Sequence, residues 1–233
     1  MSSPKTIGRT FGVLLLLQAV IGSVINFGLL GSAITGPPGF LINAAANPTK
    51  MSLAALLLIV AGLVSVGLST TAWPVFRRYS SRAALAYVAM SGAGLALAAV
   101  ESAAIMSMLS LSQEYSTAQA SDIHQFETTG TVVRYARYWA HYTHLLIGSS
   151  MLFLVYTTLY RFSLVPRLLA GLGAASVIVQ MTGLAMPFFG SRVNFYLLAP
   201  VGMCHLALSI WLVAKGFAEN NRDIIVDQPS GES

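Results

Sequence analysis

Charge is what this sequence has least of. Only 9% of its 233 residues are charged, against about 25% in a soluble globular domain. A soluble fold of this length cannot cover a chain that is 55% hydrophobic, so a water-soluble single domain is excluded. Disorder is excluded too, because it needs low hydrophobicity and high charge. Cysteine is nearly absent. The single Cys204 rules out a disulfide framework and a cysteine-based zinc site. There is no basic run either. The formal net charge of +5 is scattered over the ends of apolar stretches, which reads as membrane topology and not as nucleic-acid binding.

What is present is apolar sequence in long runs. About 20 apolar residues cross a bilayer core of roughly 30 Å as a helix, and six stretches qualify: 11–33, 51–73, 84–110, 138–160, 167–189 and 194–217. Their hydrophobicity is continuous rather than alternating, which excludes a transmembrane barrel. Backbone amides in lipid must therefore be satisfied within each helix. The expected fold is all-α, a polytopic transmembrane bundle of six helices, or seven. It forms one membrane domain over 1–218, with a polar cytoplasmic tail over 219–233. Lys5 and Arg9 precede the first run as in a secretory signal, but that run exceeds the 7–15 residues of a signal core, so it reads as a retained helix.

Orientation follows from Lys and Arg. With the N-terminus inside, inner segments hold Lys5, Arg9, Arg77, Arg78, Arg82, Arg161, Arg167, Lys215 and Arg222, and outer ones hold Lys50, Arg134, Arg137 and Arg192. Both termini are expected in the cytoplasm. Of the outer segments, 34–50 carries Gly36-Pro37-Pro38-Gly39, Asn43 and Asn47-Pro48 and reads as turns. The polar stretch 111–137 holds Glu114, Asp122, His124 and Glu127, and its C-terminal part reads as lying along the interface. Tyr135, Tyr138, Trp139 and Tyr142 then form an aromatic belt.

The informative residues are the polar ones inside the spans. Glu101 is the only acidic residue within one, and an intramembrane carboxylate normally faces the bundle interior and a partner. His141 and His144 stand in the first outer turns of the fourth span, His205 near the middle of the sixth, Gln180 in the fifth and Asn26 in the first. Helical spacing puts Gln18, Gly22 and Asn26 on one face. Gly94, Ala98 and Glu101 share another, as do His141, His144 and Gly148. Gly173, Ser176, Gln180 and Gly183 line up, and so do Gly202, His205 and Ser209. Small residues at such spacing let helices approach closely. They suit self-association into a homo-oligomer as well as internal packing. One interior cluster is expected from Asn26, Glu101, His141, His144, Gln180 and His205. Each has a plainer reading: Glu101 as half of a structural ion pair, Asn26 and Gln180 as interhelical hydrogen-bond glue, His141 as an interface residue, His144 and His205 as satisfied interior histidines.

The C-terminal half carries a resemblance. Leu159-Tyr160-Arg161, Leu164-Val165-Pro166-Arg167, Leu169, Pro200 and Ile210-Trp211-Leu212-Val213-Ala214-Lys215-Gly216-Phe217 resemble the bacterial membrane proteins grouped as domain of unknown function 4386. The similarity extends back through the Glu101 helix to Asn47. The resemblance implies a bacterial inner-membrane protein of six or seven helices, with no assigned activity. The family pattern has Arg three residues before the Glu, where this chain has Ala98, and often an acidic residue where it has His205. That exchange of charge suggests that Glu101 and His205 meet.

Four kinds of function fit. The first is an intramembrane enzyme, with Glu101, His144 and His205 as catalytic groups and Asn26, His141, Gln180 and Trp139 contacting substrate. A carboxyl group in an apolar site can serve as a general acid, or can orient a histidine as a base. Either suits isomerisation or cyclisation of a lipid-soluble polyene or isoprenoid. The second is binding or transport of a small amphipathic molecule or of protons. The third is cofactor binding: the sequence calls for no cofactor and no metal, but His144 and His205 are the pair that would ligate haem. The fourth is a non-catalytic membrane subunit. The partners expected are the lipid bilayer and a lipid-soluble small molecule, not nucleic acid.

Overall fold

A computed structural model describes residues 3–218, so the polar tail expected over 219–233 lies outside the described residues. The described residues form seven α-helices: α1 (Pro4–Ser23), α2 (Phe40–Ala46), α3 (Pro48–Tyr79), α4 (Ser81–Tyr115), α5 (Ile123–Arg161), α6 (Arg167–Ala185) and α7 (Ala199–Lys215). α1 continues as a π-helix over Val24–Thr35, and 3-10 turns at Met186–Phe189 and Phe195–Leu197 join α6 to α7. Among the described residues, six helical stretches are long and apolar enough to cross a membrane. Their outward side chains suit lipid: Phe27, Leu168 and Met203 are 75% or more exposed.

Two segments differ from expectation. The turn region 34–50 holds α2 between its turns. Phe40 and Ala44, one helical turn apart, are buried, and Asn43 Nδ2 donates to the Gly36 carbonyl at 2.8 Å, tying the loop to the helix. Ser112 of α4 then inserts into the α2 hydrogen-bond ladder. Its Oγ donates to the Leu41 carbonyl at 2.8 Å and accepts from the Ala45 N–H at 2.7 Å. The second difference is larger. The polar residues before 138 do not lie apart as an interfacial segment; α5 is continuous from Ile123. Its 39 residues give roughly 58 Å at 1.5 Å per residue, far beyond a bilayer core. The extension has a packing partner, since a Cβ on Gly130 would sit 3.2–3.3 Å from Leu41 and Phe40 of α2.

Contacts divide the described residues into two compact units, one drawn from 1–16, 66–91 and 148–233, the other from 17–65 and 92–147. The first unit is built on an aromatic cluster. Phe11, Phe76, Tyr87 and Phe217 are at most 2% exposed, with ring centroids 5.6–6.5 Å apart. Phe217 reaches it because Gly216 ends α7 at φ 72, a conformation glycine adopts without a Cβ penalty. Gly8 of α1 lies flat on this segment: a Cβ there would fall on the Phe217 backbone nitrogen. Backbone cannot rotate away as a side chain can. Gly8→Ala is therefore expected to cost at least the 1–3 kcal/mol typical of overpacking, read as a lowered unfolding midpoint in detergent.

The second unit packs Ile25, Ala33, Ala44, Met51, Ala54, Ile105 and Met108 into one apolar core. Here α3 and α4 approach closely. A Cβ on Gly62 would stand 3.1 Å from Leu95 Cα and 3.4 Å from Ala98 Cβ. The small-residue faces expected from spacing are only partly used: Gly173 and Gly183 are buried in contacts, whereas Gly22, Gly94, Gly148 and Gly202 have open space where a Cβ would be.

Candidate functional site

Glu101 sits on α4 within the second unit and is 1% exposed. Its neighbours on the helix are apolar or small: Ala98 and Ile105 are fully buried, and Ser102 spends its hydroxyl on the Ala55 carbonyl of α3 at 3.0 Å. The carboxylate is met by three donors from one stripe of α5. His141 Nδ1 donates to Oε1 at 2.7 Å and His144 Nδ1 to Oε2 at 3.0 Å. Arg137 Nη2 donates to Oε1 at 3.3 Å. Spacings of four and three residues put Arg137, His141 and His144 on one helix face, so a single helix delivers all three.

This is the arrangement of a carboxylate that accepts, not of a carboxylic acid that donates. Arg137 matches its charge, which lets a carboxylate exist in an apolar bundle. Each imidazole directs its Nδ1–H at Glu101, which leaves the Nε2 lone pair on the far side of the ring. Neither Nε2 has a hydrogen-bond partner among the described residues, and neither is among the sealed-off polar atoms. The Nε of Arg137 is buried and also lacks a partner. Aromatic rings crowd the same turns. Tyr138 and Tyr142 lie 4.6 Å apart, Tyr138 and Trp139 5.2 Å, and His141 and Tyr142 5.5 Å.

The other expected members make other hydrogen bonds. Asn26 is exposed and donates to the Gly22 carbonyl of its own helix at 2.9 Å. Gln180, in the first unit, accepts from the Ser149 hydroxyl at 3.2 Å, an α5–α6 bond of the glue kind. His205, also in the first unit, has Nε2 at 3.4 Å from the Leu15 carbonyl. The hydrogen bonds of Glu101 go to Arg137, His141 and His144, so the pairing with His205 is not what the structure forms. The cation beside Glu101 is Arg137. Ala98 faces the close α3 crossing at Gly62, where an arginine side chain has no room. Trp139 is 39% exposed beside Tyr138. Among the described residues, no group of three or more His, Cys, Asp or Glu side chains is arranged to hold a metal ion.

Fold and site together define a polytopic membrane-helix bundle with a buried carboxylate shared by two histidines and an arginine. A family model described as domain of unknown function (DUF4386) matches residues 10–216, and the chain belongs to that family. No curated protein and no solved structure matches.

Proposed function

We propose that the protein performs acid–base chemistry on a lipid-soluble molecule, with His141 and His144 exchanging protons at Nε2 and Glu101 orienting both rings. The observation that carries this is the bonding of both Nδ1 atoms to one buried carboxylate. A carboxylate on Nδ1 fixes the tautomer and stabilises the imidazolium that forms when Nε2 takes a proton, as in hydrolytic triads. Two such rings form a donor–acceptor pair. One, as imidazolium, adds its Nε2 proton to a carbon of a double bond. The other removes a proton from a neighbouring carbon, and that C–H electron pair becomes the new double bond. The substrate is isomerised without net change in atoms or charge, and the rings reset by proton exchange with water. Tyr138, Trp139 and Tyr142 support the choice of a polyene or isoprenoid, because aromatic faces attract a transient cation. Residence in the bacterial inner membrane, with both termini cytoplasmic, belongs to the same proposal. The Lys and Arg distribution supports it, and more strongly once Arg137 is set aside as a site residue.

The test needs no known substrate. The purified protein is reconstituted with a total bacterial lipid extract in D2O, and the lipids are followed by mass spectrometry. The wild-type chain is expected to place solvent deuterium on carbon in one lipid class. A chain carrying His141→Phe and His144→Phe is expected not to. Equal labelling by both chains, or none by the wild type, overturns the proposal.

A further inference from the structure

The two sequence motifs that carry the family resemblance take no part in the histidine site. They meet in the first unit, where the turn Leu164-Val165-Pro166-Arg167 and the end of α7 line a cavity of about 590 Å³ together with Lys5 of α1. The backbone holds them there. The Ala218 N–H donates to the Leu164 carbonyl at 2.8 Å, and a Cβ on Gly216 would strike the Lys5 carbonyl. Three cations from three helices therefore converge: Lys5, Arg167 as the first residue of α6, and Lys215 as the last of α7.

Among the described residues of the first unit, no acidic side chain neutralises these cations. The described part of the first unit holds nine Lys and Arg residues and no Asp or Glu. Lys5 and Lys215 make no hydrogen bond or ion pair among the described residues, and Arg167 uses only Nε, on Ser163 Oγ at 3.1 Å. Arg9, by contrast, is engaged with the Ala214 carbonyl at 3.3 Å. The remaining wall is apolar, formed by Leu164, Val165, Pro166 and Phe217, and Trp211 stands one turn before Lys215. Charge at the helix ends with an amphipathic indole one turn deeper matches the level of lipid headgroups. Basic pockets between membrane helices bind anionic headgroups.

We propose that this cavity binds an anionic phospholipid, its phosphate between Lys5, Arg167 and Lys215 and its glycerol and upper acyl carbons against Pro166 and Trp211. The full chain in detergent is titrated with phosphatidylglycerol or phosphatidylcholine of the same acyl chains, and bound lipid is read by native mass spectrometry. Phosphatidylglycerol is expected to bind at least about tenfold more tightly, one equivalent per chain, the order of effect of two or three surface cations at about 1 kcal/mol each. Lys5→Ala, Arg167→Ala and Lys215→Ala together are expected to abolish that preference. Arg77→Ala with Arg82→Ala, which removes cations outside the cavity, is expected to leave it unchanged. No preference in the wild type, persistence in the triple variant, or equal loss in the control overturns the proposal.

Two further arms separate other anions from lipid. Neutralising Glu219, Asp223, Asp227 and Glu232 to their amides is expected to leave affinity unchanged; a tenfold rise would mean that the chain's own acids fill the cavity. Millimolar glycerol phosphate is expected not to displace the lipid, and full displacement would assign the cavity to a soluble phosphate.

Discussion

Glu101→Leu is expected to destabilise the protein by about 3–5 kcal/mol, the cost of removing one partner from a buried charged pair. The residue is 1% exposed and serves three donors. Without it, Arg137 keeps a charge that is largely shielded from water and two imidazole N–H groups lose their acceptor. Leucine fills the volume, so the effect is electrostatic rather than a cavity. The companion substitution isolates the cause. Arg137→Leu on top of Glu101→Leu removes the stranded charge, and replacing a whole buried pair by apolar residues is often neutral or better. The double variant is therefore expected to recover much of the loss. Equilibrium unfolding in mixed micelles measures both. A Glu101→Leu chain within about 1 kcal/mol of wild type, the range of a surface pair, would show that the carboxylate is not held as the geometry implies.

The second large effect concerns chemistry. In the deuterium-transfer assay, His141→Phe with His144→Phe is expected to slow labelling by about 10²–10⁴-fold, the usual contribution of a positioned acid or base. Phenylalanine preserves ring volume and removes both nitrogens. The single variants carry more information than the double. If the two rings work as donor and acceptor in one step, each single substitution is expected to lose nearly as much as both together, because groups acting as a unit are strongly non-additive. If only one ring reacts, the other substitution is expected to leave the rate near wild type. Near-wild-type rates in both single variants would place the proton transfer away from these histidines.

Much of this is legible in the sequence itself. Uninterrupted apolar runs announced the six spans, because a bilayer offers the backbone no alternative to helices. Glu101 and the His141–His144 spacing announced a site, because an acid inside a span needs a partner and three-residue spacing aligns side chains. What escaped was Arg137. It stands at the edge of an apolar run, where cations ordinarily report topology, and it was counted that way. The signal that would have found it is the stripe Arg137, His141, His144, whose spacing is as regular as that of the histidines alone. Its concealment goes with the early start of α5. The polarity of 123–137 hid a helix whose support is the contact between Gly130 and the short α2, a tertiary contact with no trace in local composition. Asn26 is a different case: its amide donates to its own helix at Gly22, an option open to any Asn and invisible to face counting.

The placement of Phe217 bears on how the molecule is made. Its ring belongs to the same cluster as Phe11, so a side chain of α1 waits for one made roughly 200 residues later. The α1 helix enters the bilayer with its final neighbour still unsynthesised, and its Gly8 and Gly12 faces stay bare until α7 arrives. Assembly of that half cannot be vectorial. It completes only once α7 has been made and closes this contact with α1, and such long-range closure is slow compared with local pairing.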